Sequence, residues 1–274
     1  MEIKAAEVAK LRQMTGAGMM DCKNALVEAN GNFERAKEII REKGKLVAAK
    51  RADRDTTEGS VIALVNDQRN KAILVCLGCE TDFVAKNDDF VQLSKAIANI
   101  ALDNLPADLT SLKTLKLNGT TIEEALTHQT GKSGEKHAIP FYALLEAPHI
   151  ATYIHMNHKV ATIVGFNKTV SPEAGKDIAM QITAMNPVSV SKSDCPLQVV
   201  EKELNIYREQ IRLEGKPENM VEQIAKGKLN KFFKESTLEE QIYVKDGKIT
   251  VAEYLKAIDP EVKVTGFFRY SLND

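Results

Sequence analysis

The sequence has almost no excess of charge, because 37 lysine and arginine residues face 38 aspartate and glutamate residues. A net charge of −1 gives no support to nucleic acid or an anionic membrane as the main partner. Tryptophan is absent, and the sparse aromatic residues form no run of the kind found in RNA-recognition modules. No stretch approaches the roughly 20 apolar residues that a membrane-spanning helix needs. We therefore expect neither direct nucleic-acid binding nor membrane insertion.

Cysteine is also scarce. The four cysteines, Cys22, Cys76, Cys79 and Cys195, lack the spacing of a secreted disulfide framework. The first residues, Met1-Glu2-Ile3-Lys4, do not begin an apolar signal segment. These features predict a cytoplasmic protein whose thiols are reduced.

Two of the cysteines form a C-x-x-C pair, Cys76-Leu77-Gly78-Cys79, which raises the alternative of a thiol-dependent oxidoreductase. A redox pair needs its first thiol at a helix N-terminus, where the thiol pKa is lowered. Here the pair ends an apolar run typical of a buried strand, and no second pair of ligands with zinc-site spacing accompanies it. Buried, inert thiols are the favoured interpretation, and the oxidoreductase is kept as the alternative function.

Motifs for other enzymatic chemistry are missing as well. The five histidines include no H-E-x-x-H pair, and neither a G-x-S-x-G motif nor a Rossmann glycine pattern occurs. Gly131-Lys132-Ser133 resembles the end of a phosphate-binding loop, but Leu126 occupies the position of the required first glycine. The sequence therefore predicts no enzyme, no metal site and no cofactor, and it favours a protein that acts by binding.

The first 55 residues carry apolar side chains at the spacing of three short helices. The third helix is expected to end at Gly44, and a charged linker over residues 45–58 follows. Met19 and Met20 stand where a glycine-rich break leads into the second helix. Methionine is an adaptable contact residue of binding surfaces, but we expect at least one of the two to be a core residue.

A strand-rich pattern follows and occurs twice. Strands over 60–65 and 71–77 flank one turn, and strands over 152–156 and 159–166 flank another. Each pair precedes an amphipathic helix that stops before a proline. We predict an α+β fold with a small three-helix N-terminal domain and a duplicated antiparallel core.

The two copies differ in length between their second strand and their helix. Lys71 is 23 residues before Ser94 in the first copy, whereas Lys159 is 16 residues before Gly175 in the second. The seven extra residues are expected to fall on Thr81–Asn87. Because the second copy packs without them, they are interpreted as a functional surface loop.

A helical hairpin is predicted between about residues 197 and 234, and a closing strand over 262–270. The hairpin could dock on the core, form a homodimer or touch a partner, and the sequence leaves these alternatives open. The predicted domains are an N-terminal domain (1–55), a first core subdomain (56–140) and a second core subdomain (141–274) that includes the hairpin.

The most unusual stretch is Glu80–Asn87, which places a phenylalanine between an acid and a lysine. Loops between regular elements lie at the surface. Phe83 is therefore either tucked beneath its own loop or offered to a partner protein, and the lack of a counterpart in the second copy favours the partner.

Four features are distinctive when taken together. They are Leu11–Lys23 (LRQMTGAGMMDCK), Glu80–Asn87 (ETDFVAKN), Gly215–Pro217 with Lys228–Phe232, and Val264–Tyr270 (VTGFFRY). Over nearly the whole chain, and in the same order, they resemble the bacterial translation elongation factor Ts family. The resemblance implies a ubiquitin-associated-like (UBA-like) N-terminal domain, a core of two related α+β subdomains and an inserted helical hairpin.

The same resemblance implies an activity and its contacts. Members of this family promote guanine-nucleotide exchange on elongation factor Tu, a translational GTPase, without a catalytic site of their own. The residues implied to displace the Mg²⁺ of the GTPase are Thr81, Asp82, Phe83 and Val84. The residues implied to make other contacts with it are Arg12, Met19, Met20 and His155.

Overall fold

The computed structural model describes residues 3–274, so Met1 and Glu2 of the predicted N-terminal domain lie outside the described residues. The chain is 51% helical, and the strands of its sheets pair antiparallel. This confirms the predicted α+β class. The UBA-like character of the N-terminal domain and the duplication of the core stay predictions.

The N-terminal unit consists of three helices, α1 (Ala5–Thr15), α2 (Met19–Glu28) and α3 (Phe33–Lys50). They share a small core to which Leu11 and Leu26 contribute fully buried side chains.

The third helix does not end at Gly44, so that prediction was wrong. It continues to Lys50 because the helix Ile122–Ser133 crosses it at Gly44. A Cβ atom added at Gly131 of that helix would lie 2.5 Å from the Cα atom of Gly44. A glycine within a helix is tolerated here because it permits close helix packing.

The first sheet has the order β1-β2-β5 and is covered by helices on one face. Phe90 and Ile97 of the covering helix α5 are fully buried against this sheet. The elements of this part are β1 (Glu58–Val65), β2 (Lys71–Cys79), α4 (Asp82–Ala85), α5 (Asp88–Asn104), α6 (Leu109–Thr114), β3 (Lys116–Leu117), β4 (Thr120–Thr121), α7 (Ile122–Ser133) and β5 (Ala138–Glu146).

The second sheet has the order β6-β7-β8. Its inner face packs on the free face of the first sheet, where Leu74 and Cys76 meet Ile150 and Ile163 in one buried cluster. The elements of this part are β6 (His149–Ile154), β7 (Val160–Phe166), α8 (Pro172–Met185), α9 (Leu197–Leu213), α10 (Glu218–Ser236), α11 (Val251–Ile258) and β8 (Val264–Ser271).

The predicted division at residue 140 falls inside β5. This strand pairs with β2 from Ala138 to Glu146, so the whole of it belongs to the first sheet. Helices α9 and α10 occupy the stretch predicted for the helical hairpin. The short helix α11 has no counterpart in the sequence prediction.

The connections that follow β2 and β7 differ less than expected. Eight residues separate β2 from α5, and five separate β7 from α8. Only part of the extra length therefore lies between strand and helix, because β2 and the first turn of α5 take up the rest.

Candidate functional site

The stretch expected to be a loop contains one turn of helix, α4, which runs from Asp82 to Ala85. Thr81 begins it, because its side-chain oxygen accepts a hydrogen bond from the backbone N–H of Val84 at 3.5 Å. Threonine is a favoured residue at this N-cap position. The turn therefore fixes the directions of the four side chains from Asp82 to Ala85.

Phe83 points away from the protein. Its side chain is 83% exposed, whereas Val84 and Ala85 on the same turn pack against the hydrophobic core between the first sheet and its covering helices. The alternative in which the ring is sealed beneath its own loop is therefore wrong. A large aromatic surface held in water is available to a partner.

A charged pair flanks the exposed ring. The Nζ atom of Lys86 lies 2.6 Å from a carboxylate oxygen of Asp82, one helical turn away. The hydrogen bond from Lys86 lowers the pKa of Asp82, and the same bond raises the pKa of Lys86. Both groups are therefore charged at neutral pH.

Two carboxylates anchor the base of α4. Glu135 accepts hydrogen bonds from the hydroxyl of Thr81 at 2.7 Å and from its backbone N–H at 3.0 Å. Glu80 accepts one bond from the backbone N–H of Lys136 and another from Arg51, both at 2.7 Å. Sequence reasoning did not find Glu135, because its partner is 54 residues away in the chain and no local pattern marks the pair.

His155 lies in the turn after β6, and it is exposed. Its Nδ1 atom is 3.2 Å from the hydroxyl of Tyr153. The same turn is joined to the start of β1, because the carbonyl of His158 accepts a bond from Val61 at 2.7 Å. The neighbouring Lys159 forms an ion pair with Glu58 at 2.8 Å.

Glu58 links the His155 turn to the base of α4. On β1 it pairs with Cys79 of β2, and Cys79 is the residue immediately before Glu80. Its charge also adds to the raised pKa of Lys86, after the larger effect of Asp82. The structure therefore brings His155 and Phe83 to the same end of the molecule.

Met19 and Met20 are both exposed, by 45% and 65%, so the expectation that at least one is a core residue was wrong. The core positions of α2 are taken by Cys22 and Leu26 instead. Arg12 is also exposed, on α1. These three residues lie on the N-terminal unit and not on the element that carries Phe83.

The cysteine pair does not have the environment of a redox site. Cys76 and Cys79 are buried on β2, and they are free thiols. Burial raises the pKa of Cys79 to about 12, and it raises the pKa of Cys76 as well. A thiol must be deprotonated to react, so the alternative of a thiol-dependent oxidoreductase has no support.

Residues 3–274 include no group of three or more histidine, cysteine, aspartate or glutamate residues that could hold a metal ion. In the same range, no helix is both long enough and apolar enough to cross a membrane. The distinctive feature of the surface is an exposed aromatic side chain on an anchored helical turn. The fold is α+β, and the candidate site is a surface contact formed by an exposed aromatic side chain.

Comparisons with known proteins give the family. The family model described as Elongation factor TS matches residues 80–274. The chain is 49% identical to elongation factor Ts of Christiangramia forsetii over 273 residues, which are 99% of each chain. It is 48% identical to elongation factor Ts of Amoebophilus asiaticus (98% of each chain) and 45% identical to that of Porphyromonas gingivalis (100% of this chain and 99% of the relative). The chain therefore belongs to the elongation factor Ts family of translation elongation factors.

Proposed function

We propose that this protein is a guanine-nucleotide exchange factor for the GTPase elongation factor Tu, and that it acts in the cytoplasm during polypeptide elongation. It binds the GDP form of the GTPase, promotes loss of Mg²⁺ and GDP, and leaves a site that GTP can fill. The observation that carries the proposal is the exposed Phe83 on an anchored turn in a chain of the elongation factor Ts family.

Such exchange needs no covalent chemistry. A factor that binds the nucleotide-free GTPase more tightly than the GDP form must weaken GDP binding by the same ratio. Burial of one phenylalanine side chain supplies roughly 1.5–3 kcal/mol. Each 1.4 kcal/mol or so of difference between the two states changes the rate of GDP release about tenfold. A few contacts therefore suffice, provided that they form only with the nucleotide-free state.

Asp82 gives the same element a second role. GTPases hold their nucleotide through phosphate contacts and a Mg²⁺ ion, and the ion depends on the groups that orient its ligands. A charged carboxylate beside the inserted ring can bind groups near that ion and disturb their orientation. Thr81 and Val84 complete this proposed contact as the N-cap and the apolar side of the turn.

Two further surfaces are proposed to bind the GTPase without acting on Mg²⁺. One is formed by Arg12, Met19 and Met20 on the N-terminal unit, which we interpret as a UBA-like domain. The other is His155, at the same end of the molecule as Phe83. The hairpin of α9 and α10 stays a candidate for a homodimer or partner contact.

The direct test is the rate of GDP release from elongation factor Tu in a stopped-flow experiment, with Phe83→Ala against the unchanged protein. We expect the maximal rate to fall by more than tenfold, because the substitution removes the ring that the proposed contact buries. Ile242→Ala is a control, since Ile242 is 49% exposed in the segment before α11, outside the proposed contacts. A Phe83→Ala rate close to that of the control would contradict the proposal.

A further inference from the structure

We propose that Glu135 is a positioning residue for Phe83: its carboxylate holds the α4 turn in the one orientation that presents the ring to the GTPase. This inference rests on the proposed function. It assigns a role to a residue outside the 80–87 stretch, on the segment between α7 and β5.

The turn cannot hold its own orientation. It has four residues, and isolated helices of that length are not stable in water. Its apolar contact with the core is limited to the partly buried side chains of Val84 and Ala85. The orientation therefore depends on what fixes Thr81, the N-cap residue.

Glu135 fixes Thr81 at two points. One carboxylate oxygen accepts the hydroxyl of Thr81, and the other accepts its backbone N–H, at 2.7 and 3.0 Å. Two bonds from one group to one residue restrict rotation as well as translation. Because the acceptor is a carboxylate, each bond is stronger than one between neutral groups.

Glu135 is itself held in place. Its backbone N–H donates to the hydroxyl of Ser133 at 3.1 Å, and its carbonyl lies 3.0 Å from Nδ1 of the buried His137. Gly134, with a φ of 77°, ends α7 and turns the chain toward this position. The carboxylate thus projects from a constrained backbone.

A second carboxylate completes the arrangement in the reverse direction. Glu80, next to Thr81, accepts the backbone N–H of Lys136, next to Glu135. Each of the two segments therefore supplies an acid that binds the backbone of the other. Arg51 and the side chain of Lys136 extend this network to the end of α3 and the linker that follows it.

The first test measures amide hydrogen exchange in the free protein, so it does not depend on the GTPase. In Glu135→Ala, the amides of Ala85 and Lys86, which bond to Thr81 and Asp82, are expected to lose about tenfold of their protection. Glu135→Gln keeps the shape but replaces one acceptor oxygen by an amide donor, so its loss is expected to be smaller. Unchanged protection in Glu135→Ala would overturn the proposal.

The second test is a double-mutant cycle on the maximal rate of GDP release. We expect Glu135→Ala to lower the rate about tenfold when Phe83 is present and to have almost no further effect in Phe83→Ala, because both changes act through the same ring. Glu123→Ala, which removes an exposed acid from α7, serves as the control and should leave the rate unchanged. A loss of equal size in both backgrounds would show that Glu135 does not act through Phe83.

The two tests separate this inference from the proposed function. If Phe83→Ala alone leaves the rate of GDP release unchanged, the proposed function of Phe83 fails. The amide hydrogen-exchange measurement then still decides whether Glu135 orders the turn. If Phe83→Ala is slow but Glu135→Ala is not, the proposed function stands and the positioning role is overturned. Loss of protection together with a non-additive loss of rate supports both.

Discussion

At the residue scale, Phe83 leaves most of a large aromatic ring exposed to water in the free protein. Apolar surface in water is unfavourable, and this ring finds no cover within its own chain. The ring therefore contributes little to the stability of the fold. The favourable free energy of burying the ring becomes available only when another molecule covers it. The proposed contact with the nucleotide-free GTPase depends on this free energy.

This reasoning predicts that stability and activity respond differently to Phe83→Ala. The free energy of unfolding should stay within about 0.5 kcal/mol of the original value, because an exposed side chain makes few contacts to lose. Thermal and urea unfolding measure this directly. A substantially less stable variant would mean that the ring packs within its own fold in solution.

His137 provides a prediction about pH. Burial lowers its pKa, although Glu135 counteracts part of this effect. The folded-state pKa therefore lies below the unfolded value of about 6.5, so the unfolded chain binds protons first as the pH falls. The stability that His137 contributes is fully present above pH 6.5 and is lost as the pH falls below it.

We expect the free energy of unfolding to fall more steeply between pH 7.5 and 5.5 in the unchanged protein than in His137→Gln. Glutamine can still donate to the carbonyl of Glu135 but has no titrating ring. His128 and His149, whose pKa values are also lowered by burial, are present in both proteins and cancel in the difference. Parallel pH curves would contradict this assignment.

At the element scale, the sequence predicts elements well where local signals agree. Ser171 and Pro172 mark the start of α8, and the helix begins there in the structure. The apolar stretch Ala138–Glu146 indicates a further strand, and β5 has these limits in the structure. Both have a clear hydrophobic pattern and end signals within a few residues of one another.

The prediction fails where tertiary contacts decide. Gly44 is a helix-stop signal by itself, but α7 packs against it and α3 continues. The turn α4 is too short for a helical period to be visible, and its anchor Glu135 is remote in sequence. The helix α11 did have a local signal, the capping box of Thr250 and Glu253, which could have been found.

The crossing of α3 and α7 leads to a prediction with an internal control. A Cβ atom at Gly131 would lie 2.5 Å from backbone, whereas one at Gly44 would lie 3.6 Å from its nearest neighbour. Gly131→Ala should therefore separate the helices and destabilise the protein by about 1–3 kcal/mol. Gly44→Ala should not destabilise the protein, because the same crossing accepts a methyl group on that side.

Gly227 on α10 calibrates the effect of alanine on a helix. Apart from the adjacent backbone of its own helix, nothing lies within 4 Å of a Cβ atom added there, so Gly227→Ala should stabilise the protein by roughly 0.5–1 kcal/mol. Thermal unfolding of the three variants ranks them. If Gly131→Ala matched Gly227→Ala, the two helices would not pack as closely in solution as the structure shows.

At the scale of the whole molecule, the proposed contacts belong to two units that are packed on each other. Met19 and Met20 lie on the N-terminal unit, which joins the core through the crossing of α3 and α7. Phe83 lies on the core, and Arg51 at the end of α3 binds Glu80 at the base of its turn. The α3–α7 crossing and the Arg51–Glu80 ion pair therefore join the N-terminal unit to the core beside the turn that carries Phe83.

In the proposed exchange reaction, the two surfaces can have different roles. A contact that forms equally with every state of the GTPase lowers the concentration of factor needed and does not change the maximal rate. We expect this behaviour for Met19 and Met20, which are exposed on the N-terminal unit and lie outside the turn proposed to act on Mg²⁺. Phe83 is expected to act on the maximal rate instead.

The prediction is tested by measuring GDP release over a range of factor concentrations. A variant with Met19→Ala and Met20→Ala should need about tenfold more protein for half-maximal release and should reach the original maximal rate, because two partly exposed side chains supply uniform binding energy. Phe83→Ala should show the opposite pattern, a lower maximal rate with a smaller change in the half-maximal concentration. If both variants lowered only the maximal rate, the N-terminal unit would act on the same step as Phe83, and the division between binding and release would be wrong.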